Sequence, residues 1–182
     1  MSVISILQLG EPVLRMRSSP IQEEELREEK TQQLIDDLID TMRHAKGVGI
    51  AAPQVGYPIR LFIIEVRDRG RYANAEPYPL TIVANPQLVC MEEKGTIDSW
   101  EGCLSVRGLR GKLPRFKEVH LRGQGREGEP IDLHLQGFSA IVAQHESDHL
   151  GGMVYVDRVI DRTTLCFEPE YEKYHLNSTT SD

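Results

Sequence analysis

His145-Glu146-Ser147-Asp148-His149 reads H-E-x-x-H. On a helix, residues four apart share a face, so both imidazoles reach one metal ion. The adjacent carboxylate can then take a proton from a water on that ion. Working back, Phe138, Ile141, Val142, His145 and His149 fall at i, i+3, i+4, i+7 and i+11. That spacing predicts an amphipathic helix with its histidine face turned inward. Gly151-Gly152 ends it. The competing readings are two core histidines satisfied by hydrogen bonds and a surface carboxylate at Glu146. Two imidazoles and a carboxylate buried together without a partner would, however, be costly.

The third ligand decides the class of site, because a catalytic ion keeps three protein ligands and one open position. Leu150 to Val156 contains no further histidine. Downstream, Glu168, Glu170 and Glu172 are available by residue type. Upstream, Glu101-Gly102-Cys103-Leu104-Ser105 offers a thiolate at Cys103 that would complete a Cys-His-His set.

Three motifs in order now resemble the peptide deformylase family. Gly47-Val48-Gly49-Ile50-Ala51-Ala52-Pro53-Gln54 fits GxGxAAxQ, Glu101 to Ser105 fits EGCLS, and Gln144 to Gly152 fits QHExDHLxG. Gly10 to Arg15 is similar to the family's N-terminal segment. The likeness runs from about Ile6 to about Val159. Val106 to Arg110 lacks the proline that follows EGCLS in the commonest bacterial form and is closer to the organellar-like branch.

The resemblance implies a hydrolase that removes the N-formyl group from the terminal methionine of newly synthesised polypeptides and releases formate. It implies one metal ion held by Cys103, His145 and His149. A water on that ion would attack the formyl carbon, with Glu146 as general base and then acid. Fe2+ is the implied native ion, and Zn2+, Ni2+ or Co2+ suit the same donors. The Gln54 side-chain amide and the Leu104 backbone N–H are the implied donors to the oxyanion; a loop amide bonded to backbone is the plainer reading of Gln54. Val48, Gly49 and Gly102 would pair with an extended peptide through their backbones, with plain turn glycines as the alternative reading. Val48, Ile141 and Val142 would wall a slot for the methionine side chain, with Trp100 nearby; ordinary core packing is the alternative for each of them. Arg110 would bind peptide carbonyls further along, and Arg115 would pair with Glu101 behind the Cys103 loop; a solvated surface charge is the alternative for either arginine. Two rivals stand beside this reading. A peptidase with a related site has no need of GxGxAAxQ, and a structural metal site would want a fourth protein ligand.

Length and composition agree with a soluble globular chain. At 182 residues it is long enough to bury a core, and 40% hydrophobic with 27% charged residues is ordinary for that class. A net charge of −7 argues against nucleic-acid recognition, which wants a basic face. The N-terminus carries neither a basic segment nor a long apolar run. No signal peptide, membrane partner or membrane span is therefore expected, and the expected location is a bacterial-type cytoplasm or, by origin, an organelle. Three cysteines do not suggest a disulfide framework. Cys90 reads as a small core residue, and Cys166 carries no motif.

The remaining chain predicts an α+β fold: mixed or antiparallel strands packed around a central metal-binding helix, with one long N-terminal helix over Glu23 to Lys46. Strands are expected over Arg60 to Val66, Leu80 to Ala84 and Gln87 to Met91, with a break at Asn85-Pro86 and a polar loop over Asp68 to Pro79. Val119 and Leu121 alternate with Ile131, Leu133 and Leu135 around Gly123 to Gly128, which predicts a hairpin. A short last strand is expected over Met153 to Val156. Residues 1–167 form the catalytic domain in this reading, and 168–182 a short, polar, frayed tail. A transient ribosome contact belongs to the family picture. Members that dock there use a long basic C-terminal helix, whereas this tail is short and acidic.

Overall fold

The computed structural model describes residues 2–67 and 75–176. Its centre is a five-stranded antiparallel sheet in the order β1 (Gly49–Ala51), β2 (Leu61–Val66), β3 (Tyr78–Cys90), β6 (Glu118–Gln124), β7 (Pro130–Gln136). A smaller antiparallel sheet orders β4 (Thr96–Cys103), β5 (Val106–Phe116) and β8 (Cys166–Phe167).

Strand β2 explains the layering. Its side chains alternate between faces, and every residue in it is buried. Leu61 and Ile63 pack with Leu34, Ile35, Leu38 and Met42 of helix α2 (Glu29–His44). Phe62 and Ile64 pack with Ala140, Val142, Ala143 and Leu150 of helix α3 (Phe138–Leu150). The five-stranded sheet therefore lies between two helices, so a strand covered on both faces reads as a continuous apolar run. A third cluster of Val106, Leu113, Val154, Tyr155 and Val159 fastens the small sheet to the segment after α3.

Five local expectations change. The helix expected over Glu23 to Lys46 is two, α1 (Glu23–Leu26) and α2. Glu28 turns extended between them at φ −67°, ψ 144°. The β6–β7 turn holds that break, because Arg27 Nε donates to Glu127 O, and Gln32 Nε2 donates to both Leu26 O and Arg126 O. The strands expected on either side of Asn85-Pro86 are one strand with a bulge. Asn85 adopts φ +50° there, and its side chain bonds Ile21 and Gln124.

Met153 to Val156 is not a strand; Tyr155–Arg158 is a 3-10 turn whose start is held by Val154 N–H donating to Asp157. The segment from Glu168 is not frayed throughout, because Glu168–Tyr174 forms helix α4. Finally, α3 is not one-faced. Gln144, Glu146, Asp148 and His149 are buried along with its apolar residues, because both sheets and the turn after α3 surround it. Of the expected polar loop, residues 68–74 lie outside the described residues, as does 177–182; β3 already begins at Tyr78. Among the described residues no helix is long and apolar enough to cross a membrane.

Candidate active site

Helix α3 supplies His145 and Glu146 to one cleft and His149 beneath it, and the end of β4 supplies Cys103. His145 and His149 are one turn apart, with ring centroids separated by 5.1 Å. Cys103, the last residue of β4, brings Sγ to 3.2 Å from His149 Nε2. One ligand atom from each of Cys103, His145 and His149 lies within 4.8 Å of the others, the single such group of metal-ligating side chains among the described residues. Glu168, one of the alternative ligands by type, instead accepts Arg110 Nη2 at 2.9 Å.

The donor set fits a divalent ion. Burial holds His149 well below the ordinary imidazole range, so it is neutral, the form that ligates. His145 is fixed differently. Its Nδ1–H donates to Glu101 Oε2 at 2.8 Å, which leaves Nε2 for the cleft. Burial alone would depress His145, but Cys103 and Glu101 outweigh it and raise the group well above its usual value, so without an ion it holds a proton on Nε2 that a bound ion would displace. Burial also opposes ionisation of Glu101, yet hydrogen bonds from His145 and Arg115 bring its carboxyl down to about 2. Arg115 Nε and Nη2 grip both Glu101 oxygens at 2.7 and 3.0 Å, which settles Arg115 as a buried partner of Glu101 and not a solvated surface charge.

Glu146 stands apart from that ion-paired set. Burial pushes its carboxyl up to about 7, and Oε2 has no hydrogen-bond partner among the described residues. Its side chain lies against Gly49 of β1, where an added Cβ would come within 2.9 Å of Cγ and Cδ. A carboxyl titrating near neutrality, with a free oxygen in a cleft, suits proton transfer at neutral pH.

Gln54 is a buried loop amide bonded to backbone, as its plainer reading has it. Its Oε1 accepts Ala51 N–H at 2.8 Å, and this bond turns the amide nitrogen toward the site. Gln54 Nε2 donates to Ser105 Oγ at 3.2 Å and toward Cys103 Sγ at 3.5 Å. Ser105 N–H also points at the sulfur, at 3.4 Å. Leu104 sits in the turn between β4 and β5, where its carbonyl accepts Gln8 Nε2 at 3.0 Å. Its side chain reaches Gly47, at which a Cβ would lie 2.9 Å from Leu104 Cδ1.

The cleft has a volume of about 630 Å3. Val48, Gly49, Gly102, Arg110, Ile141 and Val142 all line it, together with Gln54, Cys103, Leu104, His145 and Glu146. His149 lies beneath, 1% exposed. Trp100 also lines the cleft, but its ring packs on Tyr171 and His175 of the C-terminal segment, with centroids 5.1 and 4.6 Å away. Arg110 is buried, bonded to Glu168 and 5.5 Å from the Tyr171 ring centroid. Its guanidinium covers Gly102, where a Cβ would meet Nη1 at 2.7 Å.

Sequence reasoning missed three participants. Asp148 accepts Arg115 Nη1 at 2.7 Å; its place between the two histidines was a signal, since it lies three residues past His145. Tyr155 stacks on His145 at 6.2 Å and donates to Leu109 O. Ser105 receives Gln54. Nothing in the local sequence marks Tyr155 or Ser105 for these contacts.

Known proteins match this chain over most of its length. The family model described as polypeptide deformylase matches residues 3–164. Peptide deformylase 2 of Pseudomonas putida is 46% identical over 156 residues, 86% of this chain and 87% of that protein. Peptide deformylase 2 of Nostoc sp. is 39% identical over 177 residues, 97% of each chain. The structure of the class I type b peptide deformylase from Acinetobacter baumannii bound to Met-Ala-Ser has a TM-score of 0.82 at 35% identity, covering 87% of this chain and all of that one. With a family model that matches residues 3–164, and with Cys103, His145 and His149 close enough together that they could hold one metal ion, this chain belongs to the polypeptide deformylase family.

Proposed function

We propose that this protein hydrolyses the formyl group from the terminal methionine of newly made polypeptides, releasing formate and a free amino terminus. The observation that carries the reading is Glu146, a buried carboxyl raised to about 7 beside three metal-ligating side chains. Cys103 Sγ and Nε2 of His145 and His149 are the atoms that would hold the ion. Fe2+ is the proposed native occupant, and Zn2+, Ni2+ or Co2+ suit the same thiolate and imidazoles. When bound, the ion supplies a Lewis acid that polarises the formyl oxygen and acidifies water.

The chain's own residues do the rest. Glu146 accepts the proton of the attacking water and passes it to the amine nitrogen as the C–N bond breaks. Gln54 Nε2 and Leu104 N–H donate to the oxygen that gains charge during attack. Glu101 keeps His145 in one tautomer and orientation. The backbones of Val48, Gly49 and Gly102 take the peptide in an extended conformation. Val48, Ile141 and Val142 enclose the methionine side chain. Arg110 reaches peptide carbonyls from over Gly102, with its far side held by Glu168. The Met-Ala-Ser peptide in the A. baumannii relative matches a product of this reaction, which supports transfer of the substrate class. A bacterial-type cytoplasm, where nascent formylated chains arise, is the proposed location.

Formyl-Met-Ala-Ser and an unformylated peptide with internal bonds of similar sequence test the assignment against the peptidase rival. Formate release without internal cleavage is expected. Cleavage of internal bonds with no formate would overturn it.

A further inference from the structure

We propose that Arg158 is a positioning residue for His145, acting through a buried chain of alternating charges that runs from the protein surface to the metal site. The inference rests on the Cys-His-His reading above. Arg158 closes the 3-10 turn Tyr155–Arg158, and its side chain is 43% exposed. It donates through Nε and Nη2 to both oxygens of Asp148, at 2.6 and 2.5 Å. Asp148 Oδ2 also accepts Arg115 Nη1 at 2.7 Å. Arg115 turns its other two donors to Glu101, and Glu101 accepts His145 Nδ1–H.

The chain is therefore Arg158, Asp148, Arg115, Glu101, His145, and every carboxylate in it has a guanidinium on at least one side. Asp148, Arg115 and Glu101 are each less than 9% exposed at the side chain. Removing Arg158 leaves two buried carboxylates to share the single guanidinium of Arg115. An uncompensated charge at that depth is strongly unfavourable. Arg115 then shifts toward Asp148, and its two bonds to Glu101 lengthen. Glu101 loses the partner that aims it at His145. Groups that hold a metal-ligating imidazole typically matter about 10- to 100-fold in metal affinity.

Arg158 lies outside the three motifs, and its nearest link to the cleft is through two other side chains. An ordinary surface staple would look the same at Asp148 but would leave metal retention alone. The test loads the full-length protein with Co2+ and follows transfer of the ion to a chelator, together with the visible spectrum of the Co2+ protein. Arg158→Ala is expected to release Co2+ about tenfold faster or more, with a changed spectrum. Arg158→Lys, which keeps the charge but loses the two-pronged grip, is expected to fall between. Arg43→Ala serves as the matched control. It removes another two-pronged pair, to Glu65 at 2.9 and 2.8 Å, which shares no side chain with the Arg158 chain. That variant is expected to lose stability and keep the wild-type release rate.

Wild-type release in Arg158→Ala, or equal acceleration in Arg43→Ala, would overturn the proposal. Cys103→Ser in the same assay separates the two levels. Fast release there with no change in Arg158→Ala refutes the role of Arg158 alone. Unchanged retention in Cys103→Ser refutes the metal site and the proposal with it.

Discussion

Gly49 and Glu146 meet so closely that residue 49 has no room for a side chain: a Cβ there would lie 2.9 Å from both Cγ and Cδ of Glu146. The edge strand that would receive the peptide thus sets the position of the carboxyl that would move the proton. Gly49→Ala should displace Glu146 while leaving the ligand atoms of Cys103, His145 and His149 in place. Turnover is expected to fall by about 10²-fold, the scale of a misplaced reacting group, with metal content unchanged. Near-wild-type kcat/KM in Gly49→Ala would show that this contact does not position Glu146.

A second expectation concerns stability. Arg115 lies between Glu101 and Asp148, with 3% of its side chain exposed. Arg115→Leu leaves two buried carboxylates without that guanidinium and should cost about 3–5 kcal/mol. Urea unfolding of the metal-free protein reads this directly. A loss within that of a surface substitution, about 0.5 kcal/mol, would mean the cluster is less charged than its geometry implies.

The buried carboxyls also predict opposite pH effects on the metal-free protein. Glu146 is raised in the folded state to about 7. Its contribution is therefore present below the unfolded carboxyl value and is lost as pH rises through about 7. Glu101 is lowered to about 2. Its contribution is present above the unfolded value and is lost as pH falls toward 2. Glu146→Gln should remove the first slope and keep the second. Unfolding free energies of wild type and variant that run parallel from about pH 5 to about pH 8 would contradict the assignment to Glu146.

Substrate choice should concentrate in the first residue. Backbone pairing with Val48, Gly49 and Gly102 would read no side chain, whereas Val48, Ile141 and Val142 give the cleft apolar lining. Exchange of methionine for alanine removes apolar burial worth roughly 2–3 kcal/mol at full enclosure. The expected drop in kcat/KM is about one to two orders of magnitude. Equal rates on formyl-Met and formyl-Ala peptides would leave these residues without a part in selection.

The site was more legible in the sequence than the details of the fold. His145, Glu146 and His149 declare themselves because helical spacing is fixed geometry. Leu61 to Val66 is readable because a strand covered on both faces is apolar throughout. The misread elements are those where distant groups overrule local propensity. The apolar stripe of α2 runs on into α1 by pattern, but the turn of the β6–β7 hairpin grips Arg27 and Gln32 and breaks the helix at Glu28. Asn85-Pro86 reads as a strand end, yet Asn85 in the left-handed region is a bulge, held by Ile21 and Gln124. Helix α4 is polar and weak alone, and forms where Arg110 and Trp100 receive Glu168 and Tyr171. The Arg158–Asp148–Arg115–Glu101 chain joins residues 10 to 33 positions apart, and no local pattern encodes it.

The central claim is that Glu146 moves a proton and does not hold the ion. Its most direct test is Glu146→Gln, prepared with metal, measured for both metal stoichiometry and formate release from formyl-Met-Ala-Ser. The account predicts a full complement of metal and a loss of turnover of about 10²–10⁴-fold, the usual worth of general acid–base catalysis. Loss of the metal, or a variant that keeps more than about a tenth of the wild-type rate, would contradict it.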